Sequence, residues 1–224
     1  MLTLTQGKKL VKLARKSITS WFKKQQLNFT TEKREFKDLQ GTFVTLHTYP
    51  KKELRGCIGF PMPTTPLAEA IFQAARSAAF SDPRFDPIEE KDLKKVVIEV
   101  SVLTRPQKIQ ATGNLIPHQV KIGEDGLIII YMGHSGLLLP QVATELKLDP
   151  SMFLSAACQK AGLPGNAWVN PQCQVLKFQA QIFSETKPAG PIKEKGKKTV
   201  KTKPKKTTKK RVKTEKKVTK KKKK

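Results

Sequence analysis

The fold class of this chain is decided by two stretches, Gly41-Thr-Phe-Val-Thr-Leu-His47 and Leu54-Arg-Gly-Cys-Ile-Gly-Phe60. The first is rich in β-branched and aromatic residues, and such a run is typical of a β-strand. Lys51 and Lys52 lie between the two stretches, where they are predicted to form the turn into a second strand. The sheet is therefore predicted to include these two neighbouring strands.

A helix is predicted on each side of this pair. Before it, apolar residues recur at helical spacing, with lysines and Arg15 between them. The apolar positions are Leu10, Leu13, Ala14, Ile18, Trp21 and Phe22. Such a stripe is typical of a helix packed on a core, and its basic polar face leaves a membrane-surface helix as the alternative. After the pair, Thr65 and Pro66 are predicted to start a helix that ends before the Asp-Pro steps at Asp82 and Asp86.

Strands also occur in the second half of the chain. They are predicted at Val96–Leu103, Val120–Ile122, Leu127–Tyr131 and Leu176–Ile182. Asp125 and Gly126 indicate a hairpin turn between the second and third of these strands. One short helix is predicted over residues 141–146, and another is capped by Asp149, begins at Pro150 and is stopped by Gly162. Because helices and strands mix without a regular βαβ order, the sequence predicts an α+β fold with a largely antiparallel sheet flanked by helices.

Positive charge is concentrated at the C-terminal end of the chain. The 224 residues carry a formal net charge of +26. Residues 193–224 hold 19 Lys or Arg against two Glu, a net +17 that leaves +9 for residues 1–192. This tail has almost no apolar surface to offset the entropy of ordering. The sequence therefore predicts a domain of residues 1–192 and a disordered, lysine-rich tail of residues 193–224.

The predicted function of the tail is to bind nucleic acid without reading its sequence. A flexible polycation releases counterions when it lies along a phosphate backbone. No aromatic residue occurs between Gly190 and Lys224, so base stacking cannot add sequence preference. The alternatives are that the tail solubilises or addresses the protein, or meets acidic proteins or lipid surfaces. The residues assigned to polyanion contact are Lys205, Lys206, Lys209, Lys210, Arg211, Lys216 and Lys217.

Composition and motifs argue against several classes of protein. Cys57, Cys158 and Cys173 are too few and too scattered for a disulfide framework, and an odd count fits a reducing compartment. No apolar run approaches the roughly 20 residues of a membrane span, so a cytoplasmic location is expected. No phosphate-binding glycine motif occurs and the histidines lack metal-ligand spacing, so neither a cofactor nor a metal is predicted. Gly133-His-Ser-Gly136 resembles a nucleophile elbow, but Leu137 replaces the second glycine, which argues against a serine hydrolase.

Cys57 lies between two glycines of the second predicted strand, Gly56 and Gly59. Glycine inside a strand often marks a bulge or the close approach of another group. Arg55, two residues before the thiol, is a cation of the kind that lowers a cysteine pKa. Two interpretations follow. Cys57 is either a thiol exposed for binding or reaction, or a small buried core residue beside glycines that allow tight packing.

The segment Asp82-Pro-Arg-Phe-Asp-Pro87 is a second candidate site. Its prolines fix a loop, and charged residues on such loops often carry function. The alternative is a helix stop with a surface ion pair, worth about 0–1 kcal/mol. From the sequence, Arg84→Ala is predicted to leave the melting temperature nearly unchanged and to impair whatever a nearby cleft does.

These motifs carry a family resemblance. Leu54-Arg-Gly-Cys-Ile-Gly59 resembles the hallmark of the AMME-syndrome critical-region (AMMECR) domain family. Further stretches agree with it: Asp82–Phe85, Glu99–Thr104, Ser135–Val142, Phe153-Leu154, Cys158–Pro164 and Gly190-Pro191, the last of these typical of archaeal-type members. The resemblance spans the domain in the expected order and leaves out the lysine tail. It implies an α+β fold of two unequal subdomains, with the hallmark motif near a cleft.

The resemblance assigns no reaction, so three functions are open. One is a cleft that binds a small or anionic ligand, or a partner, with Arg55 favouring an anionic group. The predicted ligand-binding residues are Arg55, Gly56, Cys57, Gly59, Asp82 and Arg84. Another is a cysteine enzyme with Cys57 as nucleophile, although no histidine adjacent in sequence supplies a base. The third is nucleic-acid association through the tail. In some bacteria the domain resembles a partner of Memo-like and radical-SAM proteins, so partners from such a modification pathway are an expectation of the resemblance.

Overall fold

The computed structural model describes residues 1–195, and this part of the chain contains five α-helices and eight strands. The helices are α1 (Leu4–Phe22), α2 (Thr30–Glu35), α3 (Leu67–Phe80), α4 (Pro140–Glu145) and α5 (Pro150–Lys160). The strands are β1 (Thr42–Thr48), β2 (Leu54–Phe60), β3 (Val96–Leu103), β4 (Gln107–Lys108), β5 (Asp125–Tyr131), β6 (His134–Leu138), β7 (Gln174–Glu185) and β8 (Ile192–Lys195). The predicted disordered tail and its seven assigned polyanion-binding residues lie outside the described residues.

The strands form one curled sheet in which the main order is β2-β1-β3-β7-β5-β6. Strands β4 and β8 pair with β7 off this path, and every pair is antiparallel. The predicted α+β class with an antiparallel sheet is therefore confirmed. β7 joins the two halves of the sheet, because its first half pairs with β5 and its second half pairs with β3.

Each half of the sheet packs on its own hydrophobic core. The larger core lies between β1, β3 and the helices α1 and α3, and the smaller one lies between β5 and α5. In α1 most of the predicted apolar stripe is inside the larger core, where Leu10, Ala14 and Ile18 are fully buried, but Trp21 at its end is 53% exposed. The buried side chains pack on protein rather than on a membrane surface. No helix within residues 1–195 combines the length and the apolar character that crossing a bilayer requires.

Several predicted elements are confirmed by the structure. β2 and β3 have the predicted bounds. The carboxylate of Asp149 caps α5 by accepting a hydrogen bond from the Met152 backbone N–H at 2.8 Å, and Pro150 is the first helical residue. α3 begins at Leu67 with Pro66 as its N-cap, one residue later than predicted from Thr65.

The predicted hairpin at Asp125-Gly126 is wrong. Both residues lie inside β5, and no strand covers residues 120–122. The buried Asp125 carboxylate accepts a hydrogen bond from the Lys121 backbone N–H, so this acid holds the preceding loop instead of making a turn. The hairpin lies at Met132 and Gly133, both with positive φ, and it leads into the unpredicted strand β6.

The folded domain extends three residues beyond the predicted boundary at 192. Strand β8 includes Lys193, Glu194 and Lys195, which composition alone assigned to the tail. These residues pair with the second half of β7, at Ile182 to Ser184. A short, charged strand at a sheet edge is a common arrangement, and its pairing partner rather than its own sequence makes it a strand.

Candidate functional site

An open cleft of about 810 Å³ lies between the two halves of the fold. One wall is a row of side chains across three neighbouring strands, in which Cys57 of β2 pairs with Thr45 of β1, and Thr45 pairs with Glu99 of β3. Successive strand residues point to opposite faces. The neighbours Val44 and Val100 point into the larger core, so this row points into the cleft. Helix α4, strand β7 and strand β8 supply the other walls.

Asp82 is buried behind this row and organises the polar groups around Cys57. Its carboxylate accepts a hydrogen bond from the Cys57 backbone N–H at 2.8 Å. It also accepts two from the Arg84 guanidinium, from Nε at 2.9 Å and from Nη2 at 2.8 Å. Arg84 Nη2 donates in addition to the Cys57 carbonyl oxygen at 3.1 Å. The Arg84 hydrogen bonds, opposed by burial and helped by the backbone N–H groups, hold the pKa of Asp82 well below its usual range.

The Cys57 thiol faces the cleft as a neutral group. Burial raises the pKa of Cys57, although the hydroxyl of Thr45, which donates to Sγ at 3.2 Å, and the charge of Arg84 both act to lower it. A thiol with a raised pKa holds less thiolate at neutral pH than free cysteine does. The predicted grouping of Cys57, Asp82 and Arg84 is thus present, and burial is the largest effect on the pKa of its thiol.

Arg55 lies elsewhere, with its guanidinium turned to the loop after α3. Nη1 donates to the Asp86 carbonyl oxygen at 2.7 Å, and Nη2 donates to the Pro87 carbonyl oxygen at 3.4 Å. The cation beside the thiol is Arg84, from a segment 27 residues further along the chain. In the hypothesis of an activated cysteine, Arg55 was assigned the role of lowering the Cys57 pKa, and its position gives that role no support.

The two glycines of the motif are explained by packing. A Cβ atom on Gly56 would lie 2.0 Å from the Ala78 carbonyl oxygen of α3. One on Gly59 would lie 2.4 Å from the Thr42 carbonyl oxygen and 2.3 Å from the Phe43 ring. Any side chain at either position would force backbone apart. The motif therefore holds β2 close to α3 and β1, which fits the tight-packing interpretation of these glycines.

The cleft also contains charged groups that the sequence did not single out. Glu99 is only 6% exposed and forms an ion pair with Lys195 of β8. His47 lies two residues beyond Thr45 on β1. It is near Glu99 and Glu145, whose charges raise its pKa, and near Lys195, whose charge lowers it. Burial is the main effect and lowers the pKa of His47, so the imidazole is neutral at pH 7. In the sequence, Glu99 could have been singled out as the one charged residue of the strand Val96–Leu103.

Gln141 of α4 lines the cleft, and its side chain holds a polar atom without a protein partner among residues 1–195. Its Oε1 atom is buried, and no hydrogen-bond donor among residues 1–195 reaches it. Buried polar atoms nearly always have a partner in a folded protein. Within the same residues, no group of three or more His, Cys, Asp and Glu side chains comes together as a metal site.

Comparison with known proteins identifies close relatives over nearly the whole domain. The family model AMMECR1 matches residues 11–183. Protein Ta0236 of Thermoplasma acidophilum is 43% identical over 194 residues, which are 87% of this chain and 94% of that protein. Protein MK0488 of Methanopyrus kandleri is 44% identical over 197 residues, covering 87% of this chain and 95% of that protein.

A solved structure has the same fold. The crystal structure titled as uncharacterized protein PH0010 from Pyrococcus horikoshii superposes with a TM-score of 0.80 at 43% sequence identity. The match covers 85% of this chain and 97% of that one. The resemblance inferred from the motifs is confirmed by these matches.

Proposed function

Because this chain belongs to the AMMECR1 family, whose solved relative PH0010 is itself titled uncharacterized, we propose a function from the cleft: it binds a small molecule. The volume of about 810 Å³ is within the range of small-molecule sites, roughly 300–1,000 Å³. Apolar side chains such as Leu54, Leu139 and Ile182 line it together with a few polar groups. That mixture is typical of sites that bury a ligand and fix its orientation.

The observation that carries this proposal is the buried Oε1 atom of Gln141. An acceptor without a partner costs roughly 1–3 kcal/mol of unfolding free energy, and rotation of the Gln141 side chain towards the cleft would let a ligand donor recover much of that cost. Gln141 is on α4, on the other side of the cleft from the row formed by Thr45, Cys57 and Glu99. A ligand between the two walls would contact polar groups from both halves of the fold.

The proposal is tested by mapping bound fragments with NMR. A fragment library added to the ¹⁵N-labelled protein is expected to shift the backbone amides of Thr45, His47 and Cys57. Thr144 is exposed on the cleft side of α4, so Thr144→Trp fills the cleft at little risk to the core, and it is expected to abolish those shifts. Ser151→Trp, at an exposed position of α5, is the matched control and should leave them unchanged. A library that shifts no cleft amide, or shifts that survive Thr144→Trp, would contradict the proposal.

A cysteine-dependent reaction at Cys57 is the second candidate, favoured by the thiol facing the cleft. The raised pKa argues against it. We expect iodoacetamide to label Cys57 at pH 7 at least about threefold more slowly than free cysteine, because less thiolate is present. Labelling followed by peptide mass spectrometry gives the rate, and Cys57→Ser assigns the peptide. Labelling faster than free cysteine would favour the enzyme instead.

We also propose that the residues beyond Lys195 bind nucleic acid through phosphate contacts. This proposal is supported by composition: residues 196–224 hold 17 Lys or Arg and one acid, Glu215. The folded part is basic as well, with +9 over residues 1–192. Counterion release gives such a segment affinity for any phosphate backbone, without sequence preference.

A further inference from the structure

We infer that the ligand of this cleft carries a primary amine or another cationic group, seated between Glu99 and Glu145 beside His47. The inference rests on the proposed ligand-binding function and specifies its chemistry. The sequence analysis expected an anionic ligand instead, because Arg55 was predicted to bind an anionic group. Arg55 is bonded to the carbonyl oxygens of Asp86 and Pro87, outside the cleft.

The charges on the cleft walls favour a cation. Four carboxylates line it, those of Glu99, Glu124, Glu145 and Glu194, against the cationic side chains of Arg84 and Lys195 and the N-terminal residue Met1. One of the cations, Arg84, is paired with the buried Asp82 carboxylate through two hydrogen bonds, so it has little charge left for an anionic ligand. The cleft is thus an acidic region on a folded part that carries an excess of positive charge. A cationic ligand would be attracted to it, and an anionic one repelled.

The protein already places one ammonium group in this position. Lys195, the last described residue of β8, donates from Nζ to the Glu99 carboxylate, which is 8% exposed. The lysine side chain itself is 55% exposed. The carboxylate is therefore fixed in the protein, while its partner is a flexible side chain that a ligand ammonium can displace. Lys195 acts as an internal competitor for the ligand.

The uncharged groups around this position also accept hydrogen bonds. His47 is neutral at pH 7, and a neutral imidazole has one acceptor nitrogen. The Oε1 of Gln141 becomes a second acceptor when this cleft-lining side chain rotates towards the ligand. An ammonium group has three donors and no acceptor. The cleft thus combines excess negative charge with acceptors, which matches an amine better than an alcohol or a carboxylate.

The test compares three probes with the same alkyl chain: hexylamine, hexanol and hexanoate. Each is titrated into the ¹⁵N-labelled full-length protein at low salt and pH 7.5, and the amides of Thr45, His47 and Cys57 are followed. Hexylamine is expected to bind at least about threefold more tightly than hexanol, and hexanoate more weakly than both. Glu145→Gln should remove most of the preference for the amine, and Glu90→Gln, at an exposed position outside the cleft, should not change it.

The variant Lys195→Met tests whether the Lys195 ammonium competes with the ligand for Glu99. Removal of the competing ammonium leaves the Glu99 carboxylate buried without its partner, so hexylamine affinity is expected to rise about tenfold. Hexanol affinity should not change. Equal or tighter binding of hexanol or hexanoate, or a Lys195→Met variant with unchanged amine affinity, would overturn the amine class. The ligand-binding cleft itself would be overturned only by the fragment experiment, if no cleft amide shifted or if the shifts survived Thr144→Trp.

Discussion

A chain that ends at Lys195 is expected to bind a DNA oligomer at least about 100-fold more weakly than the full chain at roughly 50 mM salt. The physical reason is the release of condensed counterions, which contributes a slope of about −0.9 in log affinity against log salt for each phosphate neutralised. There are 17 basic residues beyond position 195, so the slope is expected to be steep even if only half of them contact a phosphate. Fluorescence anisotropy with a labelled DNA duplex of 30-nucleotide strands, at four salt concentrations, measures both the affinity and its slope against salt.

Truncation after Lys195 rather than after residue 192 keeps β8 intact, so the fold is preserved in the shortened chain. A graded control replaces the seven assigned residues with glutamine: Lys205, Lys206, Lys209, Lys210, Arg211, Lys216 and Lys217. This variant should give an intermediate slope. If the truncated chain keeps the full affinity and slope, the binding surface lies on the folded domain and the tail proposal fails.

Asp82→Asn is expected to lower the free energy of unfolding by about 3 kcal/mol. The buried carboxylate accepts hydrogen bonds from the Cys57 backbone N–H and from two nitrogens of the Arg84 side chain, and an amide cannot accept all of them. Urea unfolding measures the change. Asp86→Asn, at an exposed position four residues further on, is the matched control and should stay within about 0.5 kcal/mol of the parent. A similar small effect of Asp82→Asn would mean that this network does not stabilise the fold.

The same substitution is expected to change how stability depends on pH. The folded-state pKa of Asp82 lies below its unfolded value, so the unfolded state binds more protons as the pH falls. Its stabilisation is complete well above the unfolded pKa of about 3.9 and is lost as the pH drops below that value. Between pH 6 and pH 3 the parent should lose more stability than Asp82→Asn does. Parallel pH profiles would contradict the assignment.

The structure also revises the sequence-based expectation for Arg84→Ala. The Arg84 side chain is 54% exposed, but its partner is the Asp82 side chain, which is only 2% exposed. Removal of Arg84 leaves a buried charge with backbone N–H groups alone. A surface ion pair would tolerate that loss, whereas a buried acid does not. The melting temperature of this variant is therefore expected to fall.

Local sequence patterns were sufficient to predict the elements that have a strong residue pattern or a clear helix-start signal. The β-branched strand Val96–Leu103 and the Asp149-Pro150 start of α5 were predicted and are confirmed. β6 and β8 were missed because their residues are polar, glycine-containing or charged, and only their pairing with β5 and β7 makes them strands. The Asp-Gly pair at 125–126 misled because both residues pair with β7, and the Asp125 carboxylate accepts a local hydrogen bond from the Lys121 backbone N–H.

For the candidate site, the sequence indicated Cys57, Asp82 and Arg84, since two motifs stood out by residue type. It did not reveal that the cation beside the thiol is Arg84 rather than Arg55. Chain proximity suggested Arg55, because residues two apart share a face of a regular strand. The register between β1 and β2 shifts at Arg55, which is skipped between the pairs Leu46–Gly56 and His47–Leu54. His47, Glu145 and Lys195 come from three separate elements, so no spacing in the sequence records that they meet.

Strand β7 couples the stability of the two halves of the domain. Its residues 174–179 pair with β5 of the smaller core, and residues 180–184 continue without a break into pairing with β3 of the larger core. Unfolding of either half would therefore remove hydrogen bonds and apolar cover from the edge of the other. The cleft lies at this junction, so its two walls are held at a fixed separation by one continuous backbone. A molecule bound between the two walls would contact both halves of the domain and raise the free energy of unfolding of both.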